Sequence, residues 1–399
     1  MSTTPGRFAQ ELATLDLHAL ADAALSASEQ QVLDAIRAEQ PSLNQLAVLL
    51  SPMAESMVEQ VAQAASERTL QRFGRAIRLF APLYLSNACL SSCTYCGFAK
   101  GLDVARRTLS PDEVETEARI LADRGFRSLL LVAGEHRIEV SADYVVAAVE
   151  RVARVVPQVA VETQTWSDDT YARLVAAGCE GVVHYQETYD RARYAETHVA
   201  GWKRDFDRRL ASTERAAEAG IRRLGIGALL GLAPDWRADV LAVAAHARFL
   251  VTHYWRTEVT VALPRITASA SGFQPSAEVD ERRFVLALAA LRLFEPLAGI
   301  VVSTREREEV RDGLLRICAT HMSAGSSTEP GGYSTPGVSQ EQFSVTDERT
   351  PEQVAAAITA AGYEAVWKDA FPLTAQLQAG AEGAARATSD TRDPAIVGS

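Results

Sequence analysis

Cys89-Leu90-Ser91-Ser92-Cys93-Thr94-Tyr95-Cys96-Gly97-Phe98 places three cysteines in a C-x3-C-x2-C pattern within eight residues. A four-iron cluster normally takes four thiolates, so a set of three leaves one iron free to hold something else. A short apolar run, 77–85, leads straight into this stretch. The cysteines therefore lie on a loop at the end of a strand, and the rest of the chain is read outward from that strand.

After the loop, strand and helix signals alternate. Ser110-Pro111-Asp112-Glu113 opens a helix as a capping box, with Glu113 reaching back to the cap, and that helix ends near Gly125. Apolar runs at 128–132, 158–163, 180–185, 222–229, 257–263 and 299–303, with a short one at 318–322, read as further strands. Helices are predicted between them at 141–154, 168–177, 204–219, 237–252, 279–294 and 306–316. The strands are too apolar to be one-sided, and eight strand–helix steps imply a closed parallel (β/α)8 TIM-type barrel over 76–322, with the site at the C-terminal strand ends. An open six-stranded partial barrel is the alternative, and either one puts the cysteine loop at the barrel mouth. Residues 1–75 read as an N-terminal helical extension, broken by Pro41 and Pro52 into about three helices, with Ser51-Pro52 as a helix start. Residues 323–375 form a C-terminal segment packed on the barrel, opening on a Gly/Ser/Pro-rich loop. Residues 376–399 have few apolar anchors and are expected to be disordered.

The composition narrows the function classes. At 399 residues, 47% hydrophobic and 23% charged, the chain has ample material for a core. A net charge of −11, with Lys and Arg scattered, argues against a nucleic-acid partner. No run of about 18 apolar residues suggests a membrane span, and the acid-interrupted N-terminus does not read as a signal peptide. Five cysteines, three of them bunched, argue against a disulfide framework and for a reducing, cytoplasmic setting in which the bunch binds metal. Cys179 and Cys318 are isolated among small or apolar neighbours and read as core residues. A structural zinc would need a fourth ligand, yet no His or further Cys lies within about 35 residues of the loop.

The loop, with Tyr95 before its last cysteine, resembles the radical S-adenosylmethionine (SAM) superfamily. The wider segment, from Tyr84-Leu85-Ser86-Asn87 to Gly97-Phe98, is similar to the aromatic amino acid lyases of that superfamily, and most similar to the ThiH-type tyrosine lyases of thiamine biosynthesis. The likeness continues through Val132-Ala133-Gly134-Glu135-His136, Tyr185-Gln186-Glu187-Thr188-Tyr189, Gly225-Ile226-Gly227-Ala228-Leu229 and His253-Tyr254-Trp255. It runs on through Leu263-Pro264-Arg265, Ser303-Thr304-Arg305-Glu306, Glu329-Pro330-Gly331-Gly332-Tyr333 and Val366-Trp367-Lys368-Asp369, covering 80–370. Relatives follow Pro-Arg with Leu-Arg-Pro, whereas this chain has Ile266-Thr267-Ala268, a departure that leaves the loop beyond Arg265 without a carried-over role.

The resemblance implies a [4Fe-4S] cluster on Cys89, Cys93 and Cys96, with SAM on the open iron. Gly134 and Glu135 would meet the SAM ammonium, Glu187 its ribose or amino group and Arg209 its carboxylate, while Gly227 and Leu229 would lie against adenine. Arg305 would clamp the α-carboxylate of L-tyrosine, with Ser323 and Tyr84 completing the pocket, because a planar guanidinium grips a carboxylate bidentately. The implied reaction cleaves the Cα–Cβ bond of tyrosine to 2-iminoacetate (dehydroglycine) and p-cresol, alongside 5′-deoxyadenosine and methionine. A thiazole synthase would receive the reactive imine. An acidic electron donor, ferredoxin or flavodoxin, would dock near Lys100, Arg106 and Arg107. No general base stands out in the motifs.

A hydrogenase-maturing tyrosine lyase would carry extra C-terminal cysteines, which this chain lacks. A tryptophan lyase of an antibiotic pathway would share Arg305 but usually differs around the cysteine loop. A zinc-stabilised, non-catalytic binding protein is the alternative from another class.

Overall fold

The computed structural model describes residues 6–367. Eight parallel strands follow the cysteine-loop reading: β1 (Ala76–Ser86), β2 (Ser128–Ala133), β3 (Gln158–Glu162), β4 (Cys179–Val183), β5 (Arg223–Gly227), β6 (Glu258–Ala262), β7 (Gly299–Val302) and β8 (His321–Ser323). Each pairs with its neighbour in sequence, and β1 pairs with both β2 (Ala81↔Leu129) and β8 (Arg78↔His321). That double pairing closes the barrel and excludes the open six-stranded form. A ninth strand, β9 (Glu364–Val366), adds in parallel to the start of β1. The register of β1 against β2 is irregular between Tyr84 and Ser86, where the strand turns out of the barrel into the cysteine loop.

The helices between strands form because their starts are capped and one face is apolar. Ser110 accepts from the Glu113 amide while Glu113 reaches back, and Pro111 occupies the first turn of Pro111–Asp123. The helix Trp236–His253 is buried on nearly every face because it lies between the barrel and an N-terminal helical layer. That layer is more finely divided than the two prolines suggest. It comprises Arg7–Leu12, Leu17–Ala23, Glu29–Arg37, Leu43–Leu49, Pro52–Ser56 and Val58–Phe73. Asp16, Ser28, Ser42 and Ser51 each accept from the backbone amide three residues on, so capping side chains, as well as prolines, start new helices here. The helix expected over 204–219 breaks at Ala211 into Phe206–Leu210 and Ser212–Glu218. The polar stretch before it contains a further helix, Arg191–Thr197, started by Asp190. Among the described residues no helix is long and apolar enough to cross a membrane. The expectation for 376–399 falls outside the described residues, as do Lys368 and Asp369.

The segment after β8 returns over the barrel mouth and is tied down by charge. Arg311 is fully buried, pairs with buried Asp347 and donates to the Ser323 carbonyl at the end of β8. Arg349 also pairs with Asp347 at 2.7 Å and with Asp312 at 3.1 Å. Tyr333 donates to the Pro82 carbonyl of β1 at 2.6 Å, and Glu117 accepts from the amides of Tyr333 and Ser334. Replacing one member of a buried pair leaves an uncompensated charge. Arg311→Met is therefore expected to destabilise the chain by about 3 kcal/mol, the low end of that effect because Arg349 still faces Asp347. Denaturant unfolding of the two proteins checks this.

Candidate active site

The three cysteines occupy a loop whose backbone is fixed on all sides. Leu90 donates to the Glu135 carbonyl at 2.7 Å, Ser92 to Ala200 at 2.9 Å, Thr94 to Thr197 at 2.9 Å and Gly97 to Gln342 at 3.2 Å. Cys93 bridges His198 across the loop that follows β4. Arg106 donates to the carbonyls of Asn87, Phe98, Ala99 and Leu102, and so clamps the loop from outside. Gly201 approaches Ser91 so closely that a Cβ there would lie 2.5 Å from the Ser91 Cα, and its φ is +90°. Gly134 has an equally local reason: a Cβ would collide with the Ala88 carbonyl at the loop entrance.

Cys89 and Cys96 rest on a small apolar floor of Tyr84, Phe98 and Val132. Burial pushes the Cys89 thiol up to about 11, with Glu135 and Cys96 adding to the effect. Burial likewise drives Cys93 well above the usual thiol range, with Lys203 opposing it. Such thiols need a strong local cation to ionise, which is what a metal supplies. Among the described residues, no group of three or more His, Cys, Asp or Glu side chains converges to hold a single metal ion. A zinc site needs four donors around one ion, whereas a four-iron cluster takes its thiolates at separate corners. Cys179 and Cys318 lie buried at the start of β4 and before β8, as core residues. Three thiols on one short loop held by backbone hydrogen bonds, with an apolar floor, fit a [4Fe-4S] cluster whose fourth iron has no protein thiolate.

Beside the loop is a buried charge network. Arg209 sends its Nε to the Tyr185 carbonyl at 2.6 Å and its Nη1 to Glu135 at 3.2 Å, while its Nη2 lies 4.0 Å from Glu187. Lys203 pairs with Glu187 at 2.6 Å, and Ser91 of the cysteine loop donates to the other oxygen of Glu135 at 3.0 Å. Burial opposes the charge on Glu187, but Lys203 and Arg209 outweigh it and hold the carboxyl below its usual range. Glu187 also has φ +71°, a conformation non-glycine residues rarely adopt and one that costs about 1–3 kcal/mol. A bridge to Ala228 and the Leu229 amide, which donates to the Glu187 carbonyl at 2.7 Å, hold it there. Glu135, Glu187 and Arg209 thus meet, as sequence reasoning expects. Lys203 completes their charge balance and carries no sequence signal beyond being a lysine in a polar loop.

Across the mouth, one cavity is bordered by Tyr84, Cys96, Glu187, Lys203, Leu229, Arg305 and Ser323. It therefore joins the expected substrate residues to the cysteine loop. Among the described residues the Arg305 guanidinium makes no hydrogen bond or ion pair, and it lies over the Phe343 ring at 3.3 Å. Ser323 Oγ accepts from the Thr304 amide at 3.1 Å. Tyr84 donates to Gln342 at 2.7 Å, and Gln342 Nε2 is 3.9 Å from the Cys96 sulfur. Gly227 stands apart from this cavity: a Cβ there would collide with the Ala262 carbonyl of β6, so strand packing explains it. Arg265 pairs with buried Glu306 and stacks on Phe284 at 4.9 Å, a scaffold arrangement. Lys100, Arg106 and Arg107 border a surface depression that reaches Cys89, although Arg106 is also the loop's clamp and Arg107 pairs with Glu113 at 2.8 Å. Sequence reasoning missed Gln342 and Phe343, which arrive from the irregular C-terminal segment. It also missed Glu162 at the end of β3, a cavity carboxylate whose only local sign is its place as the last residue of a strand.

A closed (β/α)8 barrel with a three-cysteine loop after its first strand defines a radical SAM enzyme, and residues 83–243 match the model of the radical SAM superfamily. Residues 263–364 match the biotin and thiamin synthesis associated domain. The chain is 41% identical over 335 residues to 2-iminoacetate synthase of Escherichia coli K12, covering 84% of this chain and 89% of that one. It belongs to the 2-iminoacetate synthase family, whose cofactors are a [4Fe-4S] cluster and SAM. Among solved structures, the FeFe-hydrogenase maturase HydG from Carboxydothermus hydrogenoformans aligns with a TM-score of 0.83 at 29% identity, over 90% of this chain and 85% of that one. Methylornithine synthase shares the fold, with a TM-score of 0.65 at 21% identity, over 84% of this chain and 97% of that one.

Reconstituted protein is expected to carry about four iron and four sulfide per chain. Cys89→Ala, Cys93→Ala and Cys96→Ala should each lose most of both, whereas Cys179→Ala and Cys318→Ala should keep them. Metal and sulfide analysis decides.

Proposed function

We propose that the chain is a tyrosine lyase, 2-iminoacetate synthase, cleaving the Cα–Cβ bond of L-tyrosine to 2-iminoacetate and p-cresol, with 5′-deoxyadenosine and methionine as the other products. The observation that carries this reading is the Arg305 guanidinium, which has no hydrogen bond or ion pair among the described residues, in a cavity that also reaches Cys96 and the Glu187–Lys203 pair. Bound together, the cluster and SAM supply a 5′-deoxyadenosyl radical, the species that abstracts hydrogen.

The protein's part is to hold two amino acid zwitterions in fixed orientation and to exclude water. Glu135 takes the SAM ammonium and Arg209 the SAM carboxylate, each exchanging part of its present pairing for the ligand's opposite charge. Glu187, held by Lys203, serves the ribose or amino group, with Gly134 at the loop entrance and Leu229 on the adenine side; Gly227, packed against the Ala262 carbonyl, has no part in it. Arg305 receives the tyrosine carboxylate as a bidentate pair, steadied by the Phe343 ring. Tyr84 and Ser323 border the same pocket and close it around the α-carbon. Burial raises the Tyr84 hydroxyl well above its usual range, so it acts as a neutral hydrogen-bonding group.

Two partners follow from the chemistry. 2-Iminoacetate hydrolyses readily, so a thiazole synthase that takes it directly suits the thiamine pathway, as does the matched domain of residues 263–364. One electron must reach the cluster, and the depression lined by Lys100, Arg106 and Arg107 beside Cys89 suits an acidic flavodoxin or ferredoxin. A cytoplasmic location fits both.

Anaerobic turnover with SAM, dithionite and either tyrosine or tryptophan tests the reading. p-Cresol and 5′-deoxyadenosine from tyrosine are expected. An indole product from tryptophan, or 5′-deoxyadenosine alone, overturns the substrate assignment. Arg305→Gln should lower kcat/KM for tyrosine at least about 100-fold, since a charge-assisted bidentate pair is lost, with iron content unchanged.

A further inference from the structure

We infer that Glu162 is the proton acceptor for the substrate's α-ammonium group. This rests on the tyrosine lyase reading and deepens it. A protonated amine has no lone pair to stabilise a nitrogen-centred radical, so the proton must leave before a hydrogen atom is taken from that nitrogen. The step is a proton transfer without redox change: R–NH3+ and Glu162–COO− become R–NH2 and Glu162–COOH.

Three observations place Glu162 in this role. It ends β3 and borders the cavity shared by Arg305, Tyr84 and Tyr185. The other carboxylates around that cavity are committed: Glu187 to Lys203 at 2.6 Å and Glu306 to Arg265. Glu135, beside the loop, is held by Arg209 at 3.2 Å and Ser91 at 3.0 Å. Among the described residues, none donates a hydrogen bond to the Glu162 carboxyl or pairs with it. Finally, the charged groups facing it come from both halves of the site, with Arg305 on the substrate side and Glu187, Lys203 and Arg209 on the SAM side. Tyr84 and Tyr185 also feel its charge.

An α-amino acid held by its carboxylate on Arg305 carries its nitrogen two bonds away from that carboxylate carbon. The nitrogen must also face the SAM side if it is the reacting atom. Glu162 borders the same cavity as Arg305, Glu187 and Lys203 and feels the charge of both sets of groups. Burial, then the neighbouring Glu187, push its carboxyl up to about 7, against the opposing pull of Lys203, Arg305 and Arg209. A group poised there accepts and returns a proton near neutral pH.

The test uses reconstituted enzyme with SAM and no reductant, so that tyrosine binds without turnover. Binding heats are measured at pH 6 and pH 8 in buffers of different protonation enthalpy. Below its own midpoint Glu162 already carries a proton, and the bound pair retains only one. Wild type should therefore release about one proton per tyrosine at pH 6 and almost none at pH 8. Glu162→Gln should release none at either pH, and its affinity for tyrosine should stay the same at pH 6 and pH 8 whereas that of wild type falls about tenfold at pH 6. With reductant it should form p-cresol at least about 100-fold more slowly, the usual share of a proton-transfer group. Glu162→Asp should keep the proton release, with its midpoint moved, and part of the activity; it also serves if the Gln variant fails to load iron. The inference is overturned by equal proton release in wild type and Glu162→Gln, by unchanged p-cresol formation in Glu162→Gln, or by undiminished release with 3-(4-hydroxyphenyl)propanoate, which has no amine. If wild type neither binds nor cleaves tyrosine, the lyase reading itself has failed.

Discussion

The buried guanidinium of Arg209, set between Glu135 and Glu187, is the interaction on which the site depends. It ties the segment after β2 to the segment after β4 and, through Ser91, to the cysteine loop. Two carboxylates and two cations, Arg209 and Lys203, balance in a place where any unpaired charge would be costly. The same balance suits a ligand that brings one ammonium and one carboxylate of its own, because each end can exchange with a protein group of like sign. The left-handed backbone at Glu187 shows the structure holding one member of the set in place against its conformational preference.

Around that set, the barrel divides the work by strand. The early strand ends and their loops hold the cysteines and the charge network. The late ones, with the returning C-terminal segment, hold Arg305, Ser323, Gln342 and Phe343. The two halves meet in one cavity, so whatever is activated on the cysteine side faces what is bound on the Arg305 side. Arg311, buried against Asp347 and the Ser323 carbonyl, fixes the returning segment to the end of β8 and so sets the far wall. Catalytic geometry at the mouth thus relies on an ion pair outside the cavity.

Much of this was legible in the sequence because it is written locally. Cys89, Cys93 and Cys96 share one short loop, and continuous apolar runs mark buried parallel strands. Arg305 and Glu187 follow strands in motifs shared with a known family. Residues brought in by tertiary structure were harder to see. Gln342 sits in an irregular segment with no periodicity, about 250 residues from the tyrosine and the cysteine it meets, and Phe343 beside it reaches Arg305. Lys203 and Glu162 look like ordinary surface charges until the fold half-buries them in the cavity wall. The N-terminal layer was under-divided because successive Asp and Ser caps start helices as effectively as prolines end them. Gly134 and Gly227 taught the reverse lesson: the space each leaves is filled by neighbouring backbone.

The part proposed for the Arg209 network is to position SAM on the cysteine loop. The most direct measurement is the electron paramagnetic resonance spectrum of the reduced cluster with and without SAM, in wild type and in Arg209→Gln. A clear SAM-induced change is expected in wild type and none in Arg209→Gln at the same SAM concentration, with equal iron and sulfide in both proteins. An identical SAM-induced change in the two proteins would contradict it.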